Sequence, residues 1–210
     1  NSKNIFVIFK NIFSLKKIIN KYSIDIIHVR SRAPAWSAYF SSKITNIAFV
    51  TTFHGTYNFS NSRLGTIKRW YNSIMARGDK VIAISKFISN HIFTHYSTHI
   101  KKTSLTIINR GVDQKIFNQK NTTSDRIQSL KKHWKIENHH KVILIPGRLT
   151  RWKGQLTVLK SIKKLIPQHP NILCIFIGSD QGRTRYTKEL KTFIQKNTLQ
   201  NHVHFVDHVK

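Results

Sequence analysis

The stretch Lys141-Val142-Ile143-Leu144-Ile145-Pro146-Gly147-Arg148-Leu149-Thr150-Arg151-Trp152-Lys153-Gly154 decides the fold of this chain. Its apolar, β-branched opening runs straight into a glycine, which reads as a strand ending in a turn. A helix is expected soon after Gly154, so the segment is a strand–turn–helix joint. In open α/β sheets, ligands bind outside the carboxyl ends of the strands. Arg148 and Lys153 set two cations on this turn, and free N–H groups at the start of the next helix add positive potential on the same side. A ligand there should be anionic, a phosphate or diphosphate in the first instance. By itself the pattern leaves open both phosphate binding and an ordinary solvated turn. It is not a P-loop, which needs Gly-x-x-x-x-Gly-Lys-Ser/Thr.

Working outward, the same alternation continues on both sides. Downstream come a helix over Gln155 to Ile166, a strand over Ile172 to Ile177, a helix over Arg185 to Asn197 and a strand over His202 to Val206. Upstream, Asp125 to Lys135 reads as a helix, and the polar run Gln119 to Ser124 as a linker. Before the linker lie an amphipathic helix from Ile5 to Ile19, then strands at Ile24 to Val29, Ala48 to Thr52, Lys80 to Ile84 and Ser104 to Ile108. Helices running from Pro34 to Lys43, from Leu64 to Met75 and, capped by Ser85, to Tyr96 separate them. The prediction is α/β with two Rossmann-like domains, residues 1–118 and 119–210, each a mostly parallel sheet flanked by helices.

Composition narrows the function classes. The 210 residues carry 36 Lys plus Arg against 8 Asp plus Glu, a formal net charge of +28. Such an excess favours polyanionic partners: phosphorylated substrates, anionic membrane surfaces or nucleic acid. The basic residues are spread along the chain rather than gathered in one arm, and Lys, Ile and Asn are abundant together, so codon bias accounts for part of the excess. The single cysteine, Cys174, lies within an apolar run and reads as a buried thiol, which rules out a disulfide within the chain. No segment reaches the roughly 18–20 apolar residues of a membrane span. Ile5 to Ile19, interrupted by Lys10, Lys16 and Lys17, reads as a helix with an apolar face at Ile5, Ile8, Phe9, Ile12, Leu15 and Ile19 that packs on a sheet rather than lying on a membrane.

Several groups of residues are candidates for chemistry. His91, His95 and His99 share a four-residue spacing, but no Glu adjoins the first, so an exposed helical face is favoured over zinc. His202, His204 and His208 read as structural. Asp25, Asp79, Asp125 and Glu137 fall at element edges, where capping is the ordinary role, and no pair of carboxylates is spaced to face one cleft. His54 stands out because it ends a strand and is followed by Gly55. Arg30 and Arg32 bracket Ser31 at the end of another strand, and Gly178 to Gly182 form a third edge loop able to approach a ligand with its backbone.

Taken in order, these loops resemble the retaining family 4 glycosyltransferases of the two-Rossmann (GT-B) fold. The residues that carry the resemblance are His28-Val29-Arg30-Ser31-Arg32-Ala33-Pro34-Ala35-Trp36, Thr52-Phe53-His54-Gly55, Ile84-Ser85, Asn109-Arg110-Gly111-Val112-Asp113 with Phe117, Gly147-Arg148-Leu149 with Lys153-Gly154, and Gly178 to Arg183. The resemblance implies a nucleotide-sugar donor whose diphosphate is held by Arg148 and Lys153 beside Gly147, with Gly178 and Gly182 on the donor side. It implies that His54 serves the donor sugar near the reaction centre, and that Arg30 and Arg32 are candidate acceptor contacts. It further implies transfer of a hexose with retention, no bound metal and no other cofactor. The acceptor would be a glycolipid or polysaccharide in lipopolysaccharide-type envelope assembly, and the protein cytoplasmic or peripheral on an anionic inner membrane. No nucleic-acid partner is expected.

Two departures from the family pattern set further expectations. The family's Glu-x7-Glu motif is missing, since the only glutamates are Glu137 and Glu189, and the family's first strand and glycine-rich loop are missing as well. The expectation is a chain truncated at both ends, with weak or no transferase activity by itself. The alternatives are a basic module for nucleic acid or anionic lipid, and an inactive remnant.

Overall fold

The computed structural model describes residues 4–57, 60, 62–207 and 209. The chain forms two compact units, Asn1–Val112 and Asp113–Lys210, dividing between Val112 and Asp113. The polar run read as a linker holds a 3-10 turn at Gln119–Asn121.

In the first unit the order is α1 (Ile5–Lys21), β1 (Ile26–Val29), α2 (Arg32–Thr45), β2 (Ala48–Phe53), α3 (Arg63–Asn72), β3 (Lys80–Ala83), α4 (Lys86–Tyr96) and β4 (Leu105–Ile107). The four strands pair in parallel in the order β1-β2-β3-β4. Alternation along β2 sends Phe49, Thr51 and Phe53 to one face. There they meet Ala35 and Ala38 of α2, Ile88, Ile92 and Tyr96 of α4, and Ile74 and Met75 of the 3-10 turn Ser73–Ala76. The remaining charge at this sheet is local: Asp79 Oδ2 accepts the Phe49 N–H at 2.8 Å, and Lys43 lies 3.6 Å from the same carboxylate.

Helix α1 makes its main contact with another helix, and of its residues Leu15 reaches the core under the sheet. It packs along α2, whose buried Ser37 and Ser41 are small enough for close approach and donate to the carbonyls of Ile8 and Ile12. Ile12 and Ile19 are buried in that contact, whereas Phe9, assigned to the apolar face by its spacing, stays 56% exposed.

The second unit runs α5 (Ser124–His133), β5 (Lys141–Pro146), α6 (Gln155–Leu165), β6 (Ile172–Ile177), α7 (Thr184–Lys196) and β7 (Val203–Val206), with the parallel order β5-β6-β7. Ile172 to Phe176 are all buried, which is why β6 reads as an unbroken apolar run. Each such side chain contributes about 1.5–3 kcal/mol on burial. One face of β6, with Cys174 and Phe176, packs under Leu159 and Ile162 of α6 and Leu190 and Ile194 of α7. Burial pushes the Cys174 thiol up to about 12, so it is an inert core residue. On the opposite face of β7, His204 meets the Trp134 carbonyl at the end of α5. Strands β1, β2, β4, β5 and β6 thus end at the loops that carry the residues of interest.

Candidate functional site

In the second unit the edge is built by backbone. The ladder continues past the strand ends: Gly147 N–H donates to Ile177 at 2.7 Å, Gly178 N–H to Val206 at 3.0 Å and Leu149 N–H to Ser179 at 3.1 Å. Gly147 and Gly178 take φ of +145° and +132°, a region that disfavours any Cβ, and a Cβ on Gly178 would stand 2.6 Å from the Gly147 oxygen. The two loops therefore touch main chain to main chain. Gly182 completes the second loop, its N–H bonded to Asp180 Oδ1 at 2.9 Å, while Asp180 Oδ2 accepts from Thr187. Asp180 is thereby committed to building the turn.

Three cations project from the Gly147 loop, and they are not equivalent. Arg151 forms a two-pronged ion pair with Glu189 of α7 and lies over Tyr186. Arg148 has only a 3.3 Å bond to the neutral Gln181 amide, and Lys153 passes along the open side of Gly147. Both charges flank Trp152, whose ring centre is 5.8 Å from the Arg148 guanidinium and 4.3 Å from the Lys153 ammonium. Among the described residues no ion pair includes either one. The loop is pinned from below by Gln155, fully buried at the start of α6, whose amide donates to the Arg148 carbonyl at 3.0 Å. The start of α6 differs from expectation in one respect. The Leu156 N–H donates to the Tyr186 hydroxyl at 3.1 Å, so that opening donor serves the protein.

In the first unit the edge is built by side chains. His54, just past β2, receives Arg30 Nε on its Nε2 at 2.9 Å, while the Arg110 guanidinium lies 2.9 Å from its Nδ1. Arg30 follows β1 and Arg110 follows β4, so three strand ends converge on one imidazole. Behind it, His28 is fixed by Thr52 at 2.7 Å. Burial, then the charges of Arg30 and Arg110 and the nearby His28, hold His54 below the usual histidine value, so the ring is neutral near pH 7. Arg32, expected beside Arg30, turns away. It donates to Asn72 at 2.8 Å, stacks 4.5 Å from the Tyr57 ring, and lines a groove of about 690 Å³ with Lys68 and Trp70 of α3. Arg110 belongs to the Asn109–Asp113 run, whose sequence by itself gives this side chain no role. Its signal was its place in a turn after a parallel strand.

Several of the other histidines have structural partners. Helix α4 ends at Tyr96, before His99, and His91 Nε2 faces the Tyr57 N–H at 3.4 Å. His202 and His204 bond the Ile172 and Trp134 carbonyls, and His208 lies outside the described residues. Among the described residues no three His, Cys, Asp or Glu side chains gather as a metal site.

Comparisons with known proteins agree with the two parallel-sheet α/β units. A family model described as Glycosyltransferase Family 4 matches residues 1–115, and one described as Glycosyl transferases group 1 matches residues 126–210. The chain is similar to spore coat protein SA of Bacillus subtilis strain 168, at 25% identity over 202 residues, covering 91% of this chain and 50% of that one. Among solved structures it is similar to a glycosyltransferase from Rickettsia africae ESF-5, with 37% identity and a TM-score of 0.81 over 100% of this chain and 53% of that chain. The fold is also that of Anabaena HepE in complex with UDP-glucose, at 19% identity and a TM-score of 0.80, covering 95% and 52%. The chain spans about half the length of each of these relatives.

Proposed function

Because the chain belongs to glycosyltransferase family 4, we propose that it is the donor-binding and acceptor-side part of an enzyme that moves a hexose, with retention, from a nucleotide-sugar to a glycolipid or polysaccharide of the cell envelope. The observation that carries this reading is the charge selection on the Gly147 loop. Of its three cations, the two without a carboxylate, Arg148 and Lys153, stand at the strand's carboxyl edge. A planar guanidinium fork and a point-charged ammonium suit a diphosphate that gains charge as it leaves. Support comes from Anabaena HepE, a protein of the same fold solved with UDP-glucose.

The roles follow from the chemistry available. Arg148 and Lys153, beside Gly147, hold the diphosphate, and the loop with Gly178 and Gly182 supports them. His54, kept neutral, serves the transferred sugar as a hydrogen-bonding group. Asp180 is locked in its turn, with both of its oxygens accepting hydrogen bonds from the protein. A donor phosphate oxygen then takes the acceptor's proton on the face the leaving group departs from, which retains configuration. Arg32, in its groove with Lys68, is assigned to the acceptor, and no metal is required for the charge compensation described.

A peripheral membrane contact fits helix α1. No helix among the described residues is long and apolar enough to cross a membrane. The exposed side of α1 nevertheless carries Phe6 (79% exposed), Phe9 and Phe13 (62%) interleaved with Lys10, Lys16 and Lys17. It borders an apolar groove of about 590 Å³ shared with Trp36, Phe40 and Trp70. Aromatic rings with interspersed lysines suit the headgroup region of an anionic leaflet. Sedimentation with anionic vesicles should fall several-fold for Phe9→Ala plus Phe13→Ala, and unchanged sedimentation would remove this contact.

The donor assignment is tested by calorimetric titration with UDP-glucose. The parent chain should bind, and Arg148→Ala plus Lys153→Ala should weaken binding by more than about tenfold, since charge-assisted hydrogen bonds contribute about 1.5–3 kcal/mol each. Equal affinity would show that the loop does not hold the diphosphate.

A further inference from the structure

The contacts around His54 cannot all be made at once. Arg30 and Arg110 present guanidinium N–H groups, which only donate, to the two opposite nitrogens of one ring, each at 2.9 Å. A neutral imidazole offers a lone pair on one nitrogen and an N–H on the other, and a protonated ring offers no lone pair. In any tautomer, at least one guanidinium therefore faces a hydrogen and has no acceptor on the ring. Neither arginine takes part in an ion pair among the described residues, and His28 adds a further titratable group on the same side. Two positive charges converge on a ring with donors in surplus and no counter-charge.

We propose that Arg30, His54 and Arg110 form an oxyanion site that receives a phosphate or carboxylate group carried by the acceptor. The inference rests on the donor reading above, in which the donor's own diphosphate is served by Arg148 and Lys153. An oxyanion placed against the arginines accepts the N–H groups that the imidazole leaves unmatched, and it offsets their mutual repulsion. With the oxyanion drawing that guanidinium off the ring, the ring N–H is left free for the transferred sugar. Planar guanidinium forks match the geometry of phosphate and carboxylate oxygens, so the selectivity is for oxyanions over neutral hydroxyls. The acceptor class is thereby narrowed to acidic glycans, either phosphorylated or bearing uronate-type carboxylates. Arg110 becomes a binding residue with a stated ligand chemistry.

The test uses inorganic phosphate and the full chain with 15N-labelled histidine, the His54 resonance being assigned by its loss in His54→Gln. Phosphate should shift His54 saturably, and Arg30→Gln plus Arg110→Gln should weaken that response by at least about tenfold, as expected for losing two charge-assisted contacts. Lys163→Gln, at an exposed position of α6, should leave it unchanged, which separates a site from general attraction to a basic protein. No saturable shift at His54, or an equal loss in Lys163→Gln, overturns the site. The same titration is repeated with UDP-glucose at saturation. Persistence of the phosphate response supports an acceptor-borne anion, and its abolition overturns that assignment in favour of the donor's own phosphates. Calorimetric UDP-glucose binding that depends on Arg148 and Lys153 can survive either failure, so the two readings fall separately.

Discussion

Around Gly147 and Gly178 the second unit holds its edge by main-chain hydrogen bonds and direct backbone contact, whereas around His54 the first unit holds its edge by side chains reaching across from three strand ends. The two constructions suit different ligand demands. A backbone platform fixes where Arg148 and Lys153 emerge, with their charged ends on Trp152, which is what the proposed charge clamp needs. A side-chain cluster can rearrange, and at His54 it must, because its donors outnumber its acceptors. The first kind of edge should be sensitive to a single added carbon, and the second to protons and counter-ions.

The contrast can be broken most severely at a glycine. Gly178→Ala forces a Cβ against the Gly147 oxygen at a positive φ, and should cost roughly 2–4 kcal/mol of the second unit's stability in urea unfolding. Gly111→Ala in the first unit meets open space and should change stability by less than about 0.5 kcal/mol. Similar costs at both positions would remove the distinction.

Protons should act more on the first unit. His54, His91 and His99 lie there and all have lowered values, chiefly through burial, whereas His140 is the corresponding residue of the second unit. A folded pKa below the unfolded one means that the unfolded chain binds more protons once the pH falls beneath about 6.5. The stability from these groups is thus complete above that value and is lost as pH falls through it toward the folded pKa. Hydrogen exchange at about pH 7.5 and about pH 5.5 should show the first unit losing more protection on acidification. Greater loss in the second unit, or a gain in the first, would contradict the assignment.

The smallest effect is expected from the cluster's own cations. Arg30→Ala plus Arg110→Ala removes exposed groups whose charges repel, so thermal unfolding should move by the equivalent of no more than about 0.5 kcal/mol. A large destabilisation would mean that the cluster is a structural pin.

Legibility in the sequence followed the range of the interaction. Buried parallel strands announce themselves as apolar runs, so Lys141–Pro146 and Ile172–Ile177 could be read to the residue, and Ser85 could be read as a cap because its bond reaches only to Ile88. The strand ends legible in the sequence put His54, Arg30, Arg148 and Lys153 just past the carboxyl ends of their strands. What was not legible depends on which distant loops touch. Arg110 meets His54 only because β4 lies one strand beyond β3 from β2, a pairing order that carries no local signal. Arg30 and Arg32, two residues apart, part company because one falls at a strand end and the other at the start of α2. Phe9 followed the apolar period of α1 yet stays exposed, since the helix packs on the small residues of α2 through a narrower stripe.

On the proposed reading, position and neutralisation, rather than charge alone, select the cations that hold the donor. UDP-glucose affinity in the single variants Arg148→Gln, Lys153→Gln and Arg151→Gln decides it. Losses of about tenfold or more are expected for Arg148→Gln and for Lys153→Gln, as for any charge-assisted contact. A change within about twofold is expected for Arg151→Gln, whose charge is already matched by Glu189. Equal losses at all three positions, or the largest at Arg151, would contradict it.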